Sequence, residues 1–246
     1  MRLYDEIIRD ILTFLGEQDA HILPVGAAAD PVSRDWQDAG KAMMILQSDM
    51  AYELGGHNLP AVGNTLVTTG KDFVPEDEII LIGKDLPEIT EDTPYARIAL
   101  VRVAEDSIGT GDRLYNTIRN IGYFRYHIYP KGFMLRVSSS NDRESVRVEA
   151  EALNEGLNFT AIGNAMLRAL HLHKEVEAVK IIFVTDPKVD YGRLQDGLKT
   201  TKQITATIDH MLKDVNMDCG SCGLQEICDE IEGLREMHFG MSEEHT

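Results

Sequence analysis

The sequence predicts an α/β fold, a mixed sheet with packed helices and α+β character, extended at its C-terminal end by a helix carrying a Cys-rich loop. Three observations carry that prediction. Short runs dense in Ile, Leu and Val recur between residues 78 and 184, the pattern of strands buried on both faces. Stretches with helical apolar spacing separate them irregularly, which argues against a doubly wound parallel sheet. Every cysteine falls near the carboxyl end, behind a long helical stretch.

Residues 3–15 predict an amphipathic helix, with Leu3, Ile7, Ile8, Ile11, Leu12 and Leu15 at helical spacing and Gly16 as its stop. Residues 21–30 read as a connector, and Trp36 as the anchor of a small core. Strands are expected over 43–46, 50–54, 64–69, 78–82 and 97–103, the last two central. Gly55-Gly56-His57-Asn58-Leu59-Pro60 is a tight turn; its glycines could also bring backbone close to an anion. Residues 112–121 predict a helix, 124–129 and 133–137 a strand pair bent at Pro130-Lys131-Gly132, and 145–148 a short strand. A helix over 159–172, a central strand over 175–184 and a helix over 191–215 lead into the cysteine loop. A short acidic helix over 229–237 and a frayed tail close the sequence. Three units result: 1–40, helix and connector; 41–188, the mixed α/β domain; 189–246, helix, Cys loop and acidic tail.

With 246 residues, 43% hydrophobic and 26% charged, the chain has enough interior to form a core without crosslinks. Its formal charge of −17 excludes nucleic acid and anionic membrane as main partners, because their binders present a basic face. Acids at the start and the lack of a bilayer-length apolar run predict a cytoplasmic protein. No G-x-G-x-x-G, Walker-type or G-x-S-x-G motif is present.

One region reverses the charge. Between residues 111 and 148, Arg113, Arg119, Arg125, Lys131, Arg136, Arg143 and Arg147 stand against only Asp112, Asp142 and Glu144. Guanidinium forks suit phosphate oxygens, so a nucleotide or coenzyme A is one reading, and pairing with neighbouring acids is the other. The histidines suggest less. His171 and His173 point apart and read as solvent-exposed, and His127 reads as a packed, half-buried ring.

Cys219, Cys222 and Cys228 form a C-x2-C-x5-C pattern among Gly, Ser, Asp, Gln and Glu. A pliable polar loop is no place for core cysteines, and a C-x2-C turn lets two thiolates converge on one ion. An iron–sulfur cluster, a zinc site completed by His210 or His238, a disulfide with one spare thiol, and three inert thiols all remain open.

Four segments, taken in order, resemble the β subunit of the carbon monoxide dehydrogenase/acetyl-CoA synthase complex. They are Met50-Ala51-Tyr52-Glu53-Leu54-Gly55-Gly56 with Pro60 behind it, Ile79-Ile80-Leu81-Ile82-Gly83-Lys84-Asp85-Leu86-Pro87, Val146-Arg147-Val148-Glu149, and Val179-Lys180-Ile181-Ile182-Phe183-Val184-Thr185-Asp186. The likeness runs over about residues 41–228. It implies a middle α/β domain that handles coenzyme A, followed by the loop of an iron–sulfur cubane bridged to two nickel ions. Carried over, Cys219 and Cys222 match the first cluster pair, and Cys228 a third ligand at shortened spacing. Arg143 and Arg147 fall near the coenzyme A stretch, with Ser145 where that family has tryptophan; Arg136 and Lys131 join them as phosphate-binding candidates.

The family's fourth cluster cysteine and its nickel-holding Cys-Gly-Cys have no counterpart here. The resemblance therefore implies a short form of the synthase subunit that is not a complete synthase by itself. It would hold an iron–sulfur cluster, 4Fe-4S in type and without nickel, beside CO dehydrogenase or a corrinoid iron–sulfur protein in one-carbon metabolism. The competing expectations are a non-catalytic, zinc-stabilised binding module and a coenzyme A binding protein with incidental cysteines.

Overall fold

The computed structural model of the chain describes residues 3–26, 36–38, 44–105, 112–138 and 143–213. It opens on helix α1 (Asp5–Gly16), which buries Ile7, Ile8, Ile11, Phe14 and Leu15 along one stripe and places Asp5 and Glu6 in its first turn, where the helix dipole favours acids. Strands β1 (Ala20–Leu23), β2 (Trp36–Asp38), β3 (Met50–Leu54), β4 (Ala61–Thr68), β5 (Glu78–Ile82) and β6 (Tyr95–Val103) follow. Helix α2 (Asp112–His127) precedes β7 (Ile128–Pro130), β8 (Phe133–Ser138) and β9 (Arg143–Glu149). The short α3 (Ala150–Asn154), α4 (Phe159–Leu170), β10 (Val176–Val184) and α5 (Tyr191–Lys213) complete the described strands and α-helices, with one 3-10 turn at Leu86–Glu88 between β5 and β6.

Five strands form the main sheet in the order β1-β5-β10-β6-β4. Pairing is mixed: β5 with β10 and β4 with β6 run parallel, β1 with β5 and β6 with β10 antiparallel. The central strand β10 has Val179, Ile181, Ile182, Phe183 and Val184 buried, so it reads as an apolar run rather than an alternation. Side chains two residues apart share a face, which sorts the packing. On one face Phe159 of α4 stacks on Phe183 at 4.5 Å between ring centroids, and Arg97 of β6 reaches Glu144 of β9. On the other, Asn64 of β4 donates to Thr201 of α5, and Tyr4, just ahead of α1, shares a hydrogen bond with Thr205. A second, antiparallel sheet, β3-β9-β8, therefore lies over the β4 side of the main sheet beside α4.

Several local expectations need correction. Residues 44–46 are not a strand: only Ile45 turns inward, with Met44 and Leu46 exposed. Residues 124–127 continue α2 instead of pairing with β8, since their apolar spacing serves a helix as well as a strand. The partner of β8 is β9, while β7 pairs with β2. The 21–30 connector begins within β1, an edge strand whose mostly exposed residues give little burial signal. Gly132 does occupy the bend after β7, at φ +82°, where a Cβ would sit 2.2 Å from that of Ala152. The acidic helix expected over 229–237 and the tail lie outside the described residues. Among the described residues, no helix is long and apolar enough to cross a membrane.

Candidate anion-binding cleft

The site forms where β3 ends. Alternation along β3 sends Tyr52 and Leu54 into the core and turns Glu53 to the opposite face of the small sheet. Asp92 accepts the backbone N–H of Glu53 at 2.7 Å, which fixes its main chain. Gly55 then takes φ +65°, where any Cβ would lie 2.5 Å from the Cβ of Ala61, so only glycine fits. Its N–H donates to the Thr93 carbonyl at 2.7 Å. Gly56 must be bare for a different reason: a Cβ there would meet Glu53 Oε2 at 2.5 Å. His57 follows at φ +47°, a conformation uncommon outside glycine, and lies exposed at the lip of the turn.

Strand β9 supplies the cations by the same alternation. Glu144, Val146 and Val148 face inward, so Arg143, Ser145 and Arg147 share the outer face. Arg136 on β8 is registered against Ser145, and Glu53 on β3 against Arg147. Arg136 Nη1 donates to Glu53 Oε1 in a short ion pair. Arg147 Nε approaches the same oxygen at 3.6 Å, while its Nη1 donates to the Ile45 carbonyl at 3.0 Å. Arg143 Nη2 donates to the Gly55 and Leu59 carbonyls at 2.7 and 2.8 Å, tying the turn to β9. Between these groups lies a cleft of about 360 Å³, lined by Glu53, Gly55, Gly56, Arg136, Arg143 and Ser145 among others.

Beneath the cleft, a fully buried pair holds the small sheet to the main one. Arg97 Nε and Nη2 donate to the two carboxylate oxygens of Glu144 at 2.6 and 2.7 Å. Burial works to strip the Arg97 proton, but the charge and hydrogen bonds of Glu144 outweigh it, and the guanidinium is held above its ordinary range. Burial, and then the charge of Glu144, push the neighbouring Tyr95 phenol well above its usual value. Gly63 is required here too, because a Cβ would fall 2.1 Å from Glu144 Oε2. The inward residue between Arg143 and Ser145 thus anchors the strand that carries both.

Arg136, Arg143 and Arg147 are brought together as the basic island suggests. Lys131 is not among the residues lining the cleft; it is exposed at the bend between β7 and β8. Arg113 is exposed near the start of α2, Arg119 pairs with Tyr115, and the Arg125 and His127 side chains lie outside the described residues. His171 is exposed, as expected, and meets the Asp77 carboxylate at 2.9 Å; His173 is half-buried. Cys219, Cys222, Cys228 and His238 lie outside the described residues, as does the side chain of His210. Among the described residues, no three His, Cys, Asp or Glu side chains are grouped to hold a metal. Sequence reasoning missed Glu53. The available signal was an acid at an outward strand position, one residue removed from the Gly55-Gly56 turn.

Residues 37–189 match the family model of the CO dehydrogenase/acetyl-CoA synthase complex beta subunit. The chain belongs to that family. The match spans more than half of the sequence and contains the whole cleft, from Glu53 to Ser145, together with Arg147 beside it, and it ends before α5 and the cysteines. No curated protein matches the chain. The acetyl-CoA synthase β-subunit family thus supplies the α/β domain on which the arginine cleft is built.

Proposed function

We propose that this acetyl-CoA synthase β-subunit-like chain uses the cleft to bind the phosphate groups of coenzyme A. The observation that carries this reading is the gathering of Arg136 and Arg147 at one carboxylate, Glu53, with Arg143 gripping the adjoining Gly55–Leu59 turn, all within the family-matched span. Two guanidiniums in the lining against one acid, with Arg147 beside them, leave the site positive in a chain of charge −17, so an anion is drawn to this face. Arginine forks bind phosphate oxygens in pairs, and Gly55 and Gly56 let backbone approach without a side chain between. Arg143 braces the turn, Arg136 reaches the ligand, and Ser145 offers a hydroxyl between them. Arg147 lies beside Glu53 on the neighbouring strand.

The cysteines form the second part of the proposal. Cys219, Cys222 and Cys228 are a thiolate set suited to an iron–sulfur cluster of the 4Fe-4S type, and the chain acts in cytoplasmic one-carbon metabolism beside CO dehydrogenase or a corrinoid iron–sulfur protein. The family's place in a CO dehydrogenase complex supports a partner of that type. When bound, such a cluster supplies electron transfer or a docking point for another metal unit.

Two measurements test the reading. Hydrogen exchange on the full chain is expected to slow in β8, β9 and the 55–60 turn when coenzyme A is added, and unchanged exchange there would overturn the coenzyme A assignment. Anaerobically purified protein is expected to carry iron and acid-labile sulfide. Zinc without iron would replace the cluster by a structural metal site.

A further inference from the structure

The arginines of the cleft are not equally committed. Arg143 is tied to two backbone carbonyls and Arg147 to one, whereas Arg136 has Glu53 as its only described partner and is 43% exposed. Glu53 has little freedom at its backbone, which Asp92 and Thr93 hold, and its side chain is 8% exposed. Arg147 Nε, by contrast, is buried with no hydrogen-bond partner, and the nearest carboxylate oxygen is that of Glu53 at 3.6 Å. That separation is just beyond hydrogen-bond reach. A small rotation of the Glu53 side chain closes it, at the expense of the bond to Arg136.

We infer that Glu53 is an internal stand-in for the ligand: it holds Arg136 until a phosphate takes that place, then passes to Arg147 Nε. The inference rests on the phosphate-binding reading of the cleft and adds its control. The exchange leaves no charge bare. Arg136 trades a carboxylate for a phosphate, and Glu53 gains the hydrogen bond that Arg147 lacks without ligand. A ligand whose only anionic group is a carboxylate gains little, since it replaces one carboxylate by another. A doubly charged phosphate gains the extra charge, so the built-in acid sets a threshold that favours phosphate ends.

Pyrophosphate and acetate titrated calorimetrically into the full chain, as wild type, Glu53→Gln, Arg147→Lys and the double variant, test this. Removing the competing carboxylate is expected to tighten pyrophosphate binding about tenfold, the scale of one charge a few ångströms away in a polar site. A Glu53 that merely positions Arg136 predicts the opposite sign, so weaker or unchanged binding by Glu53→Gln would overturn the exchange. Arg147→Lys, outside the cleft lining, is expected to weaken pyrophosphate binding severalfold while Glu53 is present and to have no effect in the Glu53→Gln background. Equal effects in both backgrounds would refute the hand-over to Arg147. Should Glu53→Gln fail to fold by circular dichroism, unchanged affinity in Arg147→Lys alone would still overturn it. Acetate is expected to leave the wild type without measurable heat, and acetate binding as tight as pyrophosphate would remove the threshold. Pyrophosphate binding by neither wild type nor Glu53→Gln would overturn the phosphate reading as well. Binding by wild type without tightening in the variant would overturn the stand-in alone.

Discussion

Arg97 and Glu144 carry a cost that their position explains. Both side chains are essentially without solvent exposure, and each needs the other to remain charged there. The guanidinium also donates to the Asn64 carbonyl and the Thr65 hydroxyl, so its donors are spread over β4 as well as β9. Removing one partner strands the other. Glu144→Gln is expected to lower unfolding stability by about 3 kcal/mol in urea, the range found when a buried pair is broken from one side. The double change Arg97→Met with Glu144→Leu is expected to cost less than Glu144→Gln, because no unpaired charge is left behind. A double variant less stable than Glu144→Gln would mean that the pair contributes net stability beyond mutual compensation.

At the scale of elements, the turn between β3 and β4 decides the shape of the cleft. Gly55→Ala would combine a strained positive φ with a Cβ only 2.5 Å from that of Ala61, and the carbonyl that Arg143 grips would shift with it. It is expected to lose about 1–3 kcal/mol of stability and the coenzyme A protection of β9 together. Protection retained at full strength would show that the turn is not part of the binding face.

Much of this level was legible in the sequence. β5, β6 and β10 are apolar runs bounded by turn residues, and α1, α4 and α5 show helical spacing. The arginines stood out because basic residues are scarce in so acidic a chain. Glu53 did not, for the converse reason: one acid among 41 is not marked out by composition, only by its outward strand position near Gly55-Gly56, and its partner Arg136 is 83 residues away along the chain. β1 was hidden because three of its four residues are exposed, and the last turn of α2 because its aromatic spacing fits two periods.

At the scale of the molecule, buried phenols set the alkaline limit of the fold. Tyr4 shares a hydrogen bond with Thr205 at 3.1 Å between the N-terminal segment and α5, and burial, partly offset by that bond, lifts its phenol to about 12. Tyr52 donates to the Leu86 carbonyl at 2.6 Å and Tyr191 to the Asp186 carbonyl at 3.1 Å. Burial first, and then the charges of Asp85 and Asp186 respectively, push both phenols upward, as they do for Tyr95 beside Glu144. A folded pKa above the unfolded one means that the neutral phenol is favoured in the fold. This contribution is complete below the free phenol value of about 10 and disappears as pH rises through the folded values. Lysine deprotonation over the same range deepens a charge that is already −17 and adds repulsion. The chain is therefore expected to unfold cooperatively above about pH 10, with tyrosinate absorbance and loss of ellipticity rising together. Tyr4→Phe is expected to lower stability at neutral pH by about 1 kcal/mol through the lost hydrogen bond, while weakening the pH dependence in the alkaline range. Tyrosinate formation well before any loss of ellipticity would mean that the hydroxyls reach solvent in the native state, and the packing of the N-terminal segment against α5 would then be looser than the contact between Tyr4 and Thr205 requires.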